Sequence, residues 1–247
     1  MVKKIAVILK KGGSGKTTTA VNLATALHEL KKKVLLVDLD PQANATLCVG
    51  LNPEEIEFNL NDLFVGRIKN PLEAITEAQF GLPVLGSHPD LSKTEKGMGQ
   101  LDVTLLRDVL KPISEDFEYI IIDTPPSDSA LTVNALACAD KILIPLQAHY
   151  LAMEGLKSVL DDIEKARKSL NPKLKVAGIL PTMVNRRTNI ADLIIEKAKK
   201  NYGDLVYPFQ IDFTIRQVEA TLAGKPLILY DPKHKSAAVY FKLARKL

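Results

Sequence analysis

Val2 to Leu9 is an aliphatic and β-branched run, long enough for one buried parallel strand. A glycine-rich break follows. After it, in "TTTAVNLATALHEL", Ala20, Leu23, Ala24, Leu27 and Leu30 fall on one helical face. Val34 to Val37 predicts a second buried strand. Tyr119 to Ile122 predicts a third, the most apolar of the three, and ends in Asp123. Strand and helix signals alternate to the end of the chain. That alternation predicts an α/β fold: a mostly parallel, twisted sheet of about seven or eight strands with helices on both faces. No Ser/Pro/Gly-rich linker, repeat or low-complexity tract interrupts it, so residues 1–247 are expected to form a single domain.

The break between the first strand and helix reads "KGGSGKT", Lys11 to Thr17. A strand, a glycine-rich turn and a helix are the context a phosphate-binding loop requires. Gly12, Gly13 and Gly15 let main-chain N–H groups turn inward around phosphate oxygens. The helix N-terminus behind Ser14, Thr17 and Thr18 adds partial positive charge. Lys16 is placed to reach β- and γ-phosphates, and the Thr17 hydroxyl to bind Mg²⁺. These residues, with Lys11, form the expected nucleotide-binding set. The usual pattern starts with Gly, where this chain has Lys10. A second lysine, Lys11, stands at the mouth of the loop.

The second strand delivers Asp38 and Asp40 to the same end of the sheet, because ligand sites lie at the carboxyl ends of parallel strands. At i and i+2 on a strand the two would share a face. Beside a triphosphate they need Mg²⁺ or water between, and one of them is expected to handle the attacking water. Asp123, at the tip of the third strand, has the Walker B placement, holding Mg²⁺ through water. The "TPP" after it makes a stiff turn whose main chain can sense a γ-phosphate.

Composition changes this picture little. The chain has 247 residues, 46% of them hydrophobic, enough for a large core. The formal net charge is +4, but residues 186–247 hold twelve Lys and Arg against six Asp and Glu. That basic quarter predicts a surface for a polyanion. Cys48 and Cys138 lack metal spacing and read as small apolar residues of a reduced, cytoplasmic protein. No apolar run approaches a membrane span, and the N-terminus lacks a signal-peptide pattern.

"KGGSGKTTTAVNLA", "VLLVDLDPQANAT", "IIIDTPPS", "LTVNAL", "AMEGL", "ILPTMVNRRTN" and "GKPLILYDPKHKSA" together resemble the ParA/Soj group of the ParA/MinD ATPases, over essentially the whole chain. The length is similar to that of the compact chromosomal type. The resemblance gives Lys11 a role: the signature lysine of a deviant Walker A motif, which reaches across a homodimer interface to the partner's ATP. It implies that Lys16 binds phosphate, that Thr17 and Asp123 serve Mg²⁺, and that Asp40 positions the attacking water. Thr182 would lie near the adenine. Arg187 and Arg216, separated by a predicted helix and strand, would bind DNA. The implied function is an ATP-dependent dimer that binds double-stranded DNA non-specifically, hydrolyses ATP slowly and works with a ParB-like partner on the nucleoid.

Some positions depart from the pattern. Lys10 stands where relatives usually have Gln or Gly, and Ser14 where Val is common. His149 replaces an acid. "QIDFTIRQVEATLAG" differs from the usual Pro-Arg-Asn version, which puts Asp212 and the adenine pocket in doubt. A MinD-like membrane role would call for a basic amphipathic tail. Instead Tyr240, Leu243, Ala244 and Leu247 are expected to pack the last helix onto the domain. An iron-protein-like electron carrier needs a cysteine where Pro126 stands. ParA-like positioning of a non-DNA cargo is the remaining alternative.

Overall fold

The computed structural model describes residues 2–99, 102–149, 152–185 and 189–247. Strand β1 (Lys3–Val7) leads through the glycine-rich loop into helix α1 (Lys16–Glu29). Then come β2 (Val34–Asp38), α2 (Asn44–Cys48), α3 (Leu60–Phe64), β3 (Ile75–Glu77) and β4 (Pro83–Leu85). The chain continues with α4 (Leu91–Gly97), α5 (Leu105–Leu110), β5 (Tyr119–Asp123), α6 (Ala130–Cys138) and β6 (Lys141–Gln147). It ends with α7 (Ala152–Ser169), β7 (Lys175–Thr182), α8 (Asn189–Tyr202), α9 (Ile215–Leu222), α10 (Leu227–Tyr230) and α11 (Lys235–Ala244).

The strands form one seven-stranded sheet in the order β3-β4-β2-β5-β1-β6-β7. All neighbours are parallel except β3, which pairs antiparallel with β4 at the edge. This is the α/β fold that the alternating pattern predicts. Side chains alternate between two apolar layers, as the pleat demands. Ala6, Ile120, Ile122 and Ile142 face a core shared with α5, α6 and α7. Ile5, Val7, Ile121 and Leu143 face α1 and α11.

Helix α1 departs from its predicted single apolar face. Val21, Asn22, Thr25 and Ala26 are buried as well as Ala20, Leu23, Ala24 and Leu27. The reason is tertiary: α11 packs on α1, sending Tyr240 and Leu243 into the same core as the sheet-facing residues of α1. Ala244 and Leu247 are buried there too. Among the described residues no helix is long and apolar enough to cross a membrane.

The strand expected between α8 and Arg216 is not a ladder strand. The segment runs beside β7 through two isolated bridges, Ile179 to Val206 and Val184 to Asp212. Pro208 lies between them and has no N–H to extend the ladder.

Candidate nucleotide site

Strands β1, β2, β5, β6 and β7 end on one edge of the sheet, and the site is assembled there. Gly13 (φ 69°) and Gly15 (φ 84°) take left-handed conformations that side chains resist. Gly15 caps α1, and Thr19 N–H donates to its carbonyl at 2.9 Å. The first N–H groups of α1 therefore have no intrahelical acceptor and face an anion site. Two hydroxyls brace the loop from neighbouring strands. Thr182 Oγ1 donates to Ser14 O at 2.9 Å, and Thr124 Oγ1 donates to Val7 O at 2.8 Å.

Lys16 is 6% exposed. Its Nζ donates to Lys11 O at 3.2 Å. Burial lowers its pKa, while the charges of Asp123 and Asp40 oppose that shift. Among the described residues the Lys11 ammonium has no hydrogen bond or ion pair; it stands at the half-buried mouth of the loop. Lys10, by contrast, is tied down by Asp128 at 2.7 Å and by Asp162 of α7.

The three acids are not equivalent. Asp38 and Asp123 are register partners on adjacent strands, both fully buried. Asp38 accepts from Asp40 N (3.1 Å), Thr46 N (2.8 Å) and Thr46 Oγ1 (2.8 Å). Burial pushes its pKa up to about 6 despite those bonds. Its oxygens are occupied in clasping α2 to the sheet edge. Asp40 lies beyond the end of β2, so the predicted shared strand face for the two acids does not form. Asp40 Oδ1 accepts from Gln42 N at 2.9 Å, and the residue is 6% exposed. Among the described residues neither Asp123 oxygen accepts a hydrogen bond of ordinary geometry. Burial, then the nearby Asp38, raise the Asp123 pKa well above the carboxylate range, with Thr17 and Lys16 pulling it back.

A buried carboxylate without hydrogen bonds calls for a proton or a cation. Asp123 with the adjacent Thr17 fits a magnesium ion shared with phosphate. Among the described residues no group of three His, Cys, Asp or Glu could hold a metal alone. Mg²⁺ in nucleotide sites needs no such group, because it takes one or two protein oxygens and keeps phosphate and water as its other ligands.

Two cavities meet at Gly15, Thr18, Met183 and Thr221. One, about 260 Å³, is lined by Gly13 to Thr18, Asn44 and Cys48. The other, about 230 Å³, is mostly apolar and lies between α1 and α9. Thr182, Met183, Ile211, Asp212, Phe213, Gln217 and Tyr240 line it. Sequence reasoning singled out Thr182 and left Asp212 in doubt; it missed Gln217 and Cys48, whose place depends on contacts between distant segments.

Arg187 lies outside the described residues. Arg216 is in the first turn of α9, half-exposed, and pairs with Glu219 at 2.8 Å and Asp231 at 3.8 Å. His149 is exposed after β6.

The AAA domain family matches residues 2–176. The sporulation initiation inhibitor protein Soj of Bacillus subtilis is 40% identical over the whole of this chain and 98% of its own. The chain belongs to the ParA/Soj family of partitioning ATPases. The chromosome partitioning protein ParA of Caulobacter vibrioides is 38% identical across 100% of this chain and 94% of its own. Among solved structures, a Mycobacterium smegmatis protein described as cobyrinic acid a,c-diamide synthase, with bound ADP and magnesium, superposes with a TM-score of 0.86. It is 31% identical over 99% of this chain and 93% of that one. The septum site-determining protein MinD of Pyrococcus horikoshii, complexed with Mg-ADP, gives 0.83 at 27% identity, covering 100% of this chain and 96% of that one. The glycine-rich loop, Asp40, Asp123 and Thr182 thus converge at one edge of this sheet.

Proposed function

We propose that this ParA/Soj-family ATPase is a dimerisation switch. With ATP and Mg²⁺ it forms a homodimer that binds DNA non-specifically; hydrolysis, prompted by a ParB-like partner, dissolves the dimer and releases the DNA. The observation that carries the reading is the buried, unbonded Asp123 carboxylate beside Thr17 and Lys16 at the phosphate loop.

In this reading Lys16 neutralises β- and γ-phosphate charge, and the loop from Gly12 to Thr18 supplies N–H donors. Thr17 and Asp123 hold Mg²⁺, which when bound offsets the charge developing on the phosphates. Asp40, with one oxygen held by Gln42 N, keeps the other for the attacking water. Lys11, whose ammonium has no partner among the described residues, serves the neighbouring subunit's nucleotide. A cation supplied in trans is worth roughly 10³–10⁵ in rate in related chemistry. Thr182 fixes the loop from behind and borders the base. Arg187 and Arg216 contribute to the DNA surface, which places the protein on the nucleoid.

The test is Asp40→Ala. It should bind Mg-ATP, turn over very slowly and accumulate as a dimer in sedimentation. That dimer should bind two unrelated duplexes equally well, and the ADP form should bind both weakly. Turnover equal to wild type refutes the water-positioning role; equal DNA affinity in both nucleotide states refutes the switch.

A second reading, positioning of a protein assembly, draws on one surface. Ile215, Val218 and Leu222, all more than half exposed, make an apolar stripe along α9, and Phe213 is exposed just before its Thr214 cap. Ile215, Val218 and Leu222 recur at helical spacing, which suits a protein partner better than phosphates. Substituting Ile215 and Leu222, which lie outside the nucleotide cavities, by Ser should leave DNA binding unchanged if DNA is the cargo track, and should release a protein cargo if one docks there.

A further inference from the structure

Gln217 lies on α9, one turn past its Thr214 cap. Its Oε1 is fully buried and has no hydrogen-bond partner among the described residues. The side chain lines the apolar cavity that adjoins the phosphate loop at Gly15 and Thr18. Burial of an unpaired amide oxygen is unfavourable unless a ligand completes it. We propose that Gln217 is the specificity-determining residue for the purine, reading the 6-amino group of adenine. This inference rests on the nucleotide reading above.

The neighbouring polar groups are otherwise engaged or unselective. Thr182 Oγ1 donates to Ser14 O, and Thr221 Oγ1 donates to the main-chain oxygen of Gln217 itself at 3.0 Å. Thr214 Oγ1 accepts from Arg216 N at 3.2 Å. The buried hydroxyls of Thr19 and Tyr240 also lack ordinary partners, but a hydroxyl can rotate to donate or accept, so it distinguishes bases poorly. An amide offers a planar pair, a C=O acceptor beside an NH₂ donor, and with Oε1 turned to the base it accepts from an amino group. Adenine presents the matching pair, an N6–H donor beside a ring-nitrogen acceptor. Met183 and Ile211 supply apolar walls for the rest of the ring.

The experiment uses Mg²⁺ diphosphates, so that binding is read without dimerisation. Titration calorimetry compares ADP, GDP and purine riboside diphosphate, which has hydrogen in place of the 6-amino group. Wild type should bind ADP about tenfold or more tighter than the 6-hydrogen analogue and than GDP. In Gln217→Leu the ADP preference over the 6-hydrogen analogue should collapse to near unity, with affinity for that analogue itself retained. Retained analogue binding also shows that the variant is folded. Equal wild-type affinity for ADP and the 6-hydrogen analogue overturns the proposal without any variant. A full preference surviving in Gln217→Leu overturns it too, as does GDP binding as tightly as ADP. Failure of wild type to bind any of the three would instead sink the nucleotide reading, and this inference with it.

Discussion

Lys10 and Lys11 are neighbours in sequence, yet their ammonium groups meet different surroundings. Asp128 and Asp162 hold Lys10 against the loop after β5 and against α7, and together they outweigh burial to raise its pKa. Among the described residues Lys11 has no such tether. Lys11→Ala should therefore keep nucleotide affinity within a few-fold while abolishing the ATP dimer. Lys16→Ala should lose nucleotide binding itself. Calorimetry and sedimentation separate the two steps, and a Lys11→Ala protein that dimerises normally would refute the trans role. Cys48 offers a second check at this scale. Its thiol lines the phosphate cavity, and burial pushes its pKa up to about 11. The thiolate is the reactive form. Alkylation should thus be slow at neutral pH, rise about tenfold per pH unit towards that pKa, and slow again when Mg-ADP is added. Cys138 is 4% exposed, with its pKa pushed to about 12, and should react only on unfolding. Fast labelling that ignores both pH and nucleotide would show that the cavity is misplaced.

Among the elements, β7 couples the sheet to the site, because Thr182 at its end braces Ser14. Its register shifts opposite Ile142 and Leu143, and Gly178 sits at that shift. A Cβ on Gly178 would lie 2.5 Å from the Tyr207 ring, whose hydroxyl donates to Ala177 O at 3.0 Å. Gly178→Ala must displace that ring and break the bond. It should cost about 1–3 kcal/mol, read as a lower urea midpoint. An unchanged midpoint would mean that Tyr207 yields freely. The glycine is visible in "VAGIL", but its partner is 29 positions away, so its reason is not. The same holds for Asp38. Its strand-end position was legible, whereas the clasp on Thr46 appears only once α2 folds back.

For the whole molecule, the sign and spread of charge would set how the proposed DNA complex forms. Arg216 belongs to the basic quarter, yet Glu219 and Asp231 already compete for its guanidinium. Phosphate has to displace them. Glu219→Gln should therefore strengthen DNA binding by the trapped ATP dimer. Arg216→Ala should weaken it across all sequences and flatten its salt dependence, since fewer counterions are released. Both effects are measured by fluorescence anisotropy at two salt concentrations. No change in slope for Arg216→Ala would remove that residue from the DNA surface.

By itself the sequence determined the strand–loop–helix unit, the parallel sheet and the acids at strand ends. These follow from local periodicity and from glycines whose conformation is set within a few residues. The packing of α11 was also legible, because Tyr240, Leu243, Ala244 and Leu247 mark one face. Only the tertiary structure decided which acid stays unbonded, since Asp38 takes, beyond its local bond from Asp40 N, two bonds from Thr46 that form only when α2 folds back. It alone brought α9 over the phosphate loop and buried the amide of Gln217 beside it. Hydrogen-bond completion is a property of groups distant in the chain and close in space, and no local pattern records it.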